Sequence, residues 1–209
     1  MLFRSTDLTA VVFGKGPGSF TGLRTACSVA QGLAFGANAP VLPIDTLLAV
    51  AEEARFQNAQ QHTQNPAKHC EDIQRFFVAM DARMDQVYTA AYECKSEWQS
   101  QKQVTWQCVQ APSVNSPEDI CVPTEWNDQE FTTVVNAWQA FATRWPVALS
   151  RTHMHVMPTA QALLRLAPVA FEQGLAVSPE DALPIYIRDK VAQTTQEREQ
   201  IKLDTTIST

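Results

Sequence analysis

The sequence predicts an α/β fold, in which buried strands alternate with helices. Two observations predict it: a strand-like apolar run near the N-terminus is followed by a helical pattern, and the same order occurs again directly afterwards. Repeated strand–helix units are typical of an α/β layer. The chain of 209 residues is 45% hydrophobic and 18% charged, so it has enough apolar side chains to bury such a core.

The first strand–helix unit contains most of the glycines of the chain. Residues 8–13 predict a short buried strand, and residues 14–18 (GKGPG) predict a tight loop. Residues 19–35 predict a helix that begins at Ser19 or Thr21 and ends before a glycine. Six of the seven glycines lie in or directly after this unit. Backbone freedom is therefore concentrated here, and function is sought here first.

The second strand–helix unit is followed by a polar stretch. Residues 41–44 predict a buried strand, and Asp45 with Thr46 predicts the cap of a helix that ends near Phe56. Residues 57–74 are rich in Gln, Asn and His, which favours a surface insertion.

The middle of the chain predicts a hairpin and then a weaker pattern. Residues 76–80 and 87–92 are β-like and predict two paired strands closed by residues 81–86. Residues 104–109 are strand-like, and residues 134–145 are amphipathic or strand-like.

The last part of the chain predicts one helix and one extended segment. Pro158 and Thr159 predict the start of a helix that reaches Gln173 and contains Pro168. Residues 183–188 predict an extended segment, before a polar tail that is expected to fray.

Composition excludes several classes of protein. Lys and Arg number 16 against 22 Asp and Glu, and the resulting net charge of −6 is unfavourable for binding nucleic acid without a partner. No apolar run is long enough to span a membrane and the N-terminus lacks a signal-peptide pattern, so a cytoplasmic protein is expected. The five cysteines form no CxxC pair, and His153 and His155 have no third ligand nearby, so no metal site is predicted.

The glycine-rich loop differs from three known functional loops. The Walker, GxGxxG and G-x-S-x-G patterns each fail at a required glycine. Free amides at the helix start could hold a phosphate or a carboxylate, and the alternative is a turn whose glycines only supply backbone freedom. Both interpretations stay open for the candidate anion-binding residues, which are Gly14, Gly16, Gly18, Ser19, Thr21 and Arg24.

The helix after this loop carries small residues at a spacing of four. Gly22, Ala26 and Ala30 form one such line. Small residues let a second helix approach closely. That second helix lies either in the same subunit or in another one, and the residues alone favour neither.

Four segments of the chain resemble the TsaB (YeaZ) family, whose members belong to the bacterial machinery that makes threonylcarbamoyladenosine in tRNA. The segments are residues 14–24 (GKGPGSFTGLR), 30–34 (AQGLA), 81–88 (DARMDQVY) and 183–188 (LPIYIR). The first of them is long and specific, and their order and rough spacing also fit the family.

The resemblance implies an actin/Hsp70/sugar-kinase-like (ASKHA) fold of two α/β lobes. Residues 1–75 then form the remainder of the N-terminal lobe, with residues 57–74 as the insertion. Residues 76–192 form the C-terminal lobe, and residues 193–209 form a polar tail. Family members have further strands and a helix before the glycine-rich loop, so the first lobe is expected to lack roughly 50 N-terminal residues.

The resemblance also implies a function without catalysis in this chain. TsaB-like proteins are non-catalytic partners of TsaD, which holds metal and nucleotide and transfers the threonylcarbamoyl group to the adenosine beside the tRNA anticodon. TsaE, an ATPase, joins the same assembly. The chain itself is expected to bind no cofactor, to meet tRNA only through the complex, and to form homodimers when TsaD is absent. The alternatives are a stand-alone nucleotide-binding ATPase or hydrolase, the class of an older glycoprotease label, and an inactive truncated product.

The resemblance assigns candidate residues as well. The small-faced helix is expected to contact TsaD, which makes Gly22, Ala26, Val29 and Ala30 candidate interface residues. Neither a catalytic residue nor a metal ligand is expected. Four further positions carry family motifs of unknown role: Asp81, Arg83, Tyr186 and Arg188.

Overall fold

The computed structural model describes residues 4–64, 73–96, 104–136, 138–141, 143–146, 149 and 153–188. They form two β-sheets and three α-helices, so the α/β fold is confirmed. The strands are β1 (Val11–Gly16), β2 (Val41–Asp45), β3 (Ile73–Arg83), β4 (Gln86–Ser96), β5 (Val104–Asn115), β6 (Thr132–Val135) and β7 (His153–Met154). The helices are α1 (Phe20–Ala37), α2 (Thr46–Gln64) and α3 (Ala160–Glu172).

The first sheet contains the predicted strand–helix units. Strands β1 and β2 are parallel neighbours, with Val11 opposite Val41, and α1 connects them. A helical crossover is the usual connection between parallel strands. Helix α1 packs Cys27 and Ala34 against Phe13 and Val41, so small side chains bring its axis close to the sheet.

The second sheet has the strand order β5-β4-β3-β6-β7. Strands β3, β4 and β5 pair antiparallel, whereas β6 pairs parallel with β3 and β7 pairs parallel with β6. Alternate residues of β3 point to opposite faces, as the strand period of two requires. Phe76 packs in a cluster with Leu47 of α2, and Phe77 packs in another cluster with Trp126 and Trp145. Both faces of this sheet are therefore buried.

Several predicted boundaries were wrong: β3 and β4 extend beyond the predicted residues 76–80 and 87–92, and three further boundaries differ around the first sheet. Strand β1 continues through Gly16, so Gly14 and Gly16 belong to the strand and only the residues after them form the turn. Helix α1 continues past Gly36 and ends at Asn38, which adopts the left-handed conformation at φ 52°. Helix α2 continues to Gln64, because residues 57–64 include strong helix formers although they lack an apolar period.

The weakly patterned region differs from its prediction as well. Strand β5 reaches Asn115 instead of ending near residue 109. Residues 134–145 contain the end of β6 and then a short 3₁₀ turn, Trp138–Phe141. Thr159 is the N-cap of α3, as predicted, and its hydroxyl oxygen accepts a hydrogen bond from the amide of Ala162. The polar tail after residue 192 lies outside the described residues.

Candidate functional site

The C-terminal segment, residues 182–188, connects the other motifs that the sequence analysis singled out. It begins against α1, where the carbonyl oxygen of Ala182 accepts hydrogen bonds from the side chains of Cys27 and Gln31, both at 3.0 Å. It then passes the end of β1, where the amide of Ile185 donates to the carbonyl oxygen of Lys15 at 2.7 Å. It finally reaches the β3–β4 turn through Arg188. Motifs that are far apart in the sequence thus form one surface.

Gly16 allows the C-terminal segment to lie this close to β1. Its φ is +119°, which side chains rarely permit, and a Cβ built on it would lie 2.7 Å from the carbonyl oxygen of Ile185. The amide of Gly16 donates to the hydroxyl oxygen of Thr46 at 3.1 Å, so that amide already has a partner within the chain. Gly14 also faces Thr46, at 3.1 Å from a built Cβ.

The start of α1 forms an aromatic and cationic cluster with the C-terminal segment. The ring centroids of Phe20 and Tyr186 are 5.2 Å apart. The guanidinium carbon of Arg24 lies 3.9 Å from the Phe20 ring centroid, and its Nε donates to the Tyr186 hydroxyl at 3.1 Å. Two predicted candidates, Arg24 and Tyr186, are therefore in direct contact.

The remaining predicted anion-binding residues surround this cluster. Ser19 is the N-cap of α1, as predicted, although its side chain makes no capping hydrogen bond. Gly18 packs on Leu23, with 3.6 Å between a built Cβ and the nearest leucine carbon. Thr21 is exposed, and its carbonyl oxygen accepts from the hydroxyl of Thr25. Anion binding at this loop stays a prediction.

The β3–β4 turn is held from several sides. Arg83, Met84 and Asp85 all have positive φ, between 53° and 62°, which is uncommon for residues other than glycine. Arg188 donates from Nη2 to the carbonyl oxygen of Arg83 at 3.2 Å and to Gln86 Oε1 at 2.7 Å. Such a conformation persists only where its surroundings determine it, and Arg188 is one of those determinants.

Asp81 and Arg83, the other motif residues of this turn, bond to each other and to neighbouring groups. Asp81 accepts a hydrogen bond from the amide of Arg83 at 2.7 Å and pairs with its guanidinium at 3.1 Å. The amide of Asp81 donates to Asn136 Oδ1 at 2.9 Å. The Arg83 side chain is 88% exposed, and Arg144 pairs with Asp85 at 2.5 Å on the far side of the turn.

Helix α1 presents a stripe of small and apolar residues to solvent. We call Gly22, Ala26, Val29 and Leu33 the α1 stripe; all four are exposed, Val29 by 54% and Leu33 by 58%. They are spaced by three or four residues, so they share one side of the helix. The prediction was wrong for Ala30, which is only 3% exposed because it packs into the core beneath α1.

Sequence reasoning missed Leu33 as a member of the stripe. The signal was present, because Leu33 follows Val29 by four residues and therefore lies on the same face. The contact between Phe20 and Tyr186 carried no local signal, since the two rings are brought together only by the fold.

A half-buried carboxyl group lies at the end of β2. Asp45 Oδ1 accepts hydrogen bonds from the amides of Leu47 and Leu48, at 2.8 and 3.3 Å, and so caps α2. Burial nevertheless raises the pKa of Asp45, since the loss of solvation outweighs these amides. Burial, together with the nearby Asp45 carboxylate, also raises the pKa of Tyr92.

Metal-binding residue types do not converge in the part of the chain that the structure describes, where no group of three His, Cys, Asp or Glu side chains is found. His153 stacks on Trp138 with 4.2 Å between ring centroids, and His155 is exposed. Cys94 is buried, and burial raises its pKa to about 12, so it is a poor thiolate ligand. No described helix is long and apolar enough to cross a membrane.

Comparison with known proteins identifies the family. The model of the family described as TsaD, tRNA N6-adenosine threonylcarbamoyltransferase, matches residues 3–195. The tRNA threonylcarbamoyladenosine biosynthesis protein TsaB of Escherichia coli K12 is 33% identical over 193 residues, which are 90% of this chain and 74% of that protein. The Haemophilus influenzae TsaB is 34% identical over 88% of this chain and 72% of its own length. The chain belongs to the TsaB family.

Solved structures agree with this assignment. YeaZ from Pseudomonas aeruginosa superposes with a TM-score of 0.72 at 30% identity, over 88% of this chain and 77% of that one. A second Pseudomonas aeruginosa structure, described as similar to peptidase YEAZ, gives a TM-score of 0.69 at 31% identity over 88% and 76%. The ASKHA-like fold expected from the TsaB resemblance is thereby confirmed, and the family is one of tRNA threonylcarbamoyladenosine biosynthesis.

Proposed function

We propose that this chain is a non-catalytic subunit that binds TsaD and supports transfer of the threonylcarbamoyl group to the adenosine beside the tRNA anticodon. The names of its TsaB relatives support the pathway. The α1 stripe supports the role of a binding subunit.

The α1 stripe has the properties of a helix-packing surface. A built Cβ at Gly22 meets only atoms of Ser19, at 3.5 Å, and one at Gly32 or Gly36 meets no other group within 4 Å. The backbone of α1 is therefore open to a second helix at these positions. Val29 and Leu33 supply apolar side chains that no described part of this chain covers, and exposed apolar surface of this kind marks interaction sites.

The packing of α1 against the first sheet fixes the direction in which the α1 stripe faces. On an adjacent side of the helix, Leu23, Cys27 and Ala34 are buried, so α1 cannot rotate to hide Val29 and Leu33 without exposing its core face. The apolar surface is therefore a fixed feature of the fold. A second subunit that covers it gains the burial that the chain itself does not achieve.

The rest of the assembly is part of the same proposal. ATP and metal are proposed to bind to the partner subunits TsaD and TsaE, and tRNA is proposed to meet this chain only through the complex. In the absence of TsaD, the same stripe would pair two copies of this chain in a homodimer.

Reconstitution of the modification tests the proposal. Purified TsaD, TsaE and threonylcarbamoyl-adenylate-forming enzyme from the same source are combined with tRNA, with and without this chain, and modified adenosine is measured by mass spectrometry. We expect modification only when TsaD and this chain are both present, and none with this chain as the sole subunit. Modification without this chain, or by this chain in the absence of TsaD, would refute the proposal.

A matched pair of variants connects the activity with the stripe. Ala26→Arg places a long cation on the stripe, whereas Ser28→Arg places the same side chain on another exposed side of α1. The two positions are two residues apart, or about 200° around the helix. We expect Ala26→Arg to abolish modification at unchanged folding, and Ser28→Arg to retain it.

A further inference from the structure

Arg24 is held in one orientation although it lies on the surface. Its guanidinium stacks over Phe20 at 3.9 Å, its Nε donates to the Tyr186 hydroxyl at 3.1 Å, and the Tyr186 ring lies 6.0 Å away. Tyr186 is itself fixed, because its neighbour Ile185 is hydrogen-bonded to β1 and Arg188 is hydrogen-bonded to the β3–β4 turn. The plane and direction of the Arg24 guanidinium, whose planar set of N–H donors we call the fork, are therefore set by the fold.

The two terminal amino groups of Arg24 have no hydrogen-bond partner among the described residues, and no carboxylate of those residues pairs with it. The chain has 22 acidic against 16 basic residues, so carboxylates are plentiful. Carboxylates pair with five other described arginines: Arg55, Arg75, Arg83, Arg144 and Arg165. Among the described residues, Arg24 thus has an oriented guanidinium whose two outer amino groups are unpaired.

Exposed apolar side chains contact this guanidinium or lie in the same C-terminal segment as Tyr186. Phe20, Leu183, Ile185 and Tyr186 are all large and all between 37% and 66% exposed. Aromatic residues and arginine are the types enriched in protein interfaces and in the residues that contribute most to binding. We call this group, together with Arg24, the Arg24 surface.

We propose that the Arg24 surface docks a protein segment that carries a carboxylate side chain flanked by apolar residues. The carboxylate would accept two parallel hydrogen bonds from Nη1 and Nη2 of Arg24, the geometry in which arginine binds carboxylates most specifically. The apolar neighbours would pack on Phe20, Ile185 and Leu183. Because the fork is already oriented, little side-chain entropy is lost on binding.

The chemistry favours a protein over an RNA. An RNA-binding surface needs several clustered cations, whereas the chain is acidic overall and the described contacts of Arg24 are with the uncharged side chains of Phe20 and Tyr186. A single oriented guanidinium in contact with two exposed aromatic rings instead matches one acidic side chain within an apolar segment.

The Arg24 surface is separate from the α1 stripe. Arg24 is two residues from both Gly22 and Ala26, which is about 200° around the helix. A partner helix packed on the stripe therefore leaves Arg24 accessible, so the second docking site can be tested without TsaD.

A peptide titration tests the proposal on the isolated, full chain. The probe is an acetylated and amidated tripeptide of leucine, glutamate and phenylalanine, and the control peptide has glutamine in place of glutamate. Binding is followed in every variant through the backbone amide NMR signals of Ile185 and Tyr186, and in the unmodified chain also through the Arg24 Nε–H signal, which is assigned from its absence in Arg24→Gln. We expect the glutamate peptide to shift these signals with a dissociation constant of roughly 1–10 mM.

Variants and a third ligand separate the possible outcomes. The glutamine peptide and the Arg24→Gln variant should each bind roughly tenfold more weakly, and Arg24→Lys should be weakened too because lysine lacks the planar fork. Arg83→Gln, which removes an exposed arginine already paired with Asp81, should leave binding unchanged. Equal shifts with both peptides would overturn the proposal, as would no shift at a peptide concentration tenfold above the expected dissociation constant. A shift only with a short single-stranded RNA would overturn it too. None of these results depends on whether TsaD binds the stripe.

Discussion

Replacing Gly16 with alanine is expected to dislodge the C-terminal segment from β1. Two costs add at this position. The φ of +119° lies in a region where side chains are strained, at a cost of about 1–3 kcal/mol. The new Cβ would also lie 2.7 Å from the Ile185 carbonyl oxygen, so the segment must move away and its hydrogen bond to Lys15 is lost, for about 0.5–1.5 kcal/mol more.

The total expected loss for Gly16→Ala is therefore about 2–4 kcal/mol in the free energy of unfolding. Gly18→Ala is the matched control in the same motif. A Cβ at Gly18 would meet Leu23 at 3.6 Å, an ordinary contact, and its φ is not in the left-handed region. Its effect should stay within about 1 kcal/mol, with a stabilising contribution from the stiffer unfolded chain.

Urea unfolding followed by tryptophan fluorescence measures both variants. Hydrogen exchange at the Ile185 amide reports directly on the bond to Lys15, and it should become faster in Gly16→Ala and remain unchanged in Gly18→Ala. Equal stability losses in the two variants, or unchanged exchange at Ile185 in Gly16→Ala, would refute the reasoning.

Two further predictions concern a buried and a half-buried carboxylate. Glu52 is 2% exposed and accepts hydrogen bonds from Arg55 and Arg165, so Glu52→Ala should destabilise the fold by about 3–5 kcal/mol in urea unfolding, and a loss below 1 kcal/mol would contradict this. Loss of solvation raises the pKa of Asp45 in the folded state. The contribution of Asp45 to the free energy of unfolding is therefore complete below the unfolded pKa of about 3.9, and it is lost as the pH rises through the folded pKa. Asp45→Asn keeps the cap oxygen for Leu47 and should therefore unfold at higher urea than the unmodified chain at pH 7 but not below pH 4; equal midpoints at pH 7 would count against it.

Local patterns were sufficient for the first half of the fold. The strands β1 and β2 are short apolar runs next to turn residues, and α1 has a clear buried face. Each of these elements can therefore be predicted from a few neighbouring residues. The extension of α2 to Gln64 was missed because its polar residues carry helix propensity without an apolar period. The layer that contains Trp126 and Trp145 depends on packing against β3 from distant parts of the chain, which no local pattern encodes.

The candidate site was predictable in its residues but only partly in its arrangement. The small residues of α1 were identified, yet their spacing does not give the rotation of the helix, because alanine suits a buried face as well as an interface. Ala30 therefore was assigned to the wrong side, while Leu33 was left out. Arg24 and Tyr186 were both named, but they are 162 residues apart, and their contact depends on the path of the C-terminal segment.

Binding to TsaD tests the central claim most directly. This chain, Ala26→Arg and Ser28→Arg are each mixed with tagged TsaD from the same source and examined by size-exclusion chromatography with light scattering. The account predicts a stable complex for the unmodified chain and for Ser28→Arg, and separate elution of TsaD and a folded Ala26→Arg monomer. Separate elution of the unmodified chain, or a complex of undiminished stability with Ala26→Arg, would contradict the claim that the α1 stripe binds TsaD.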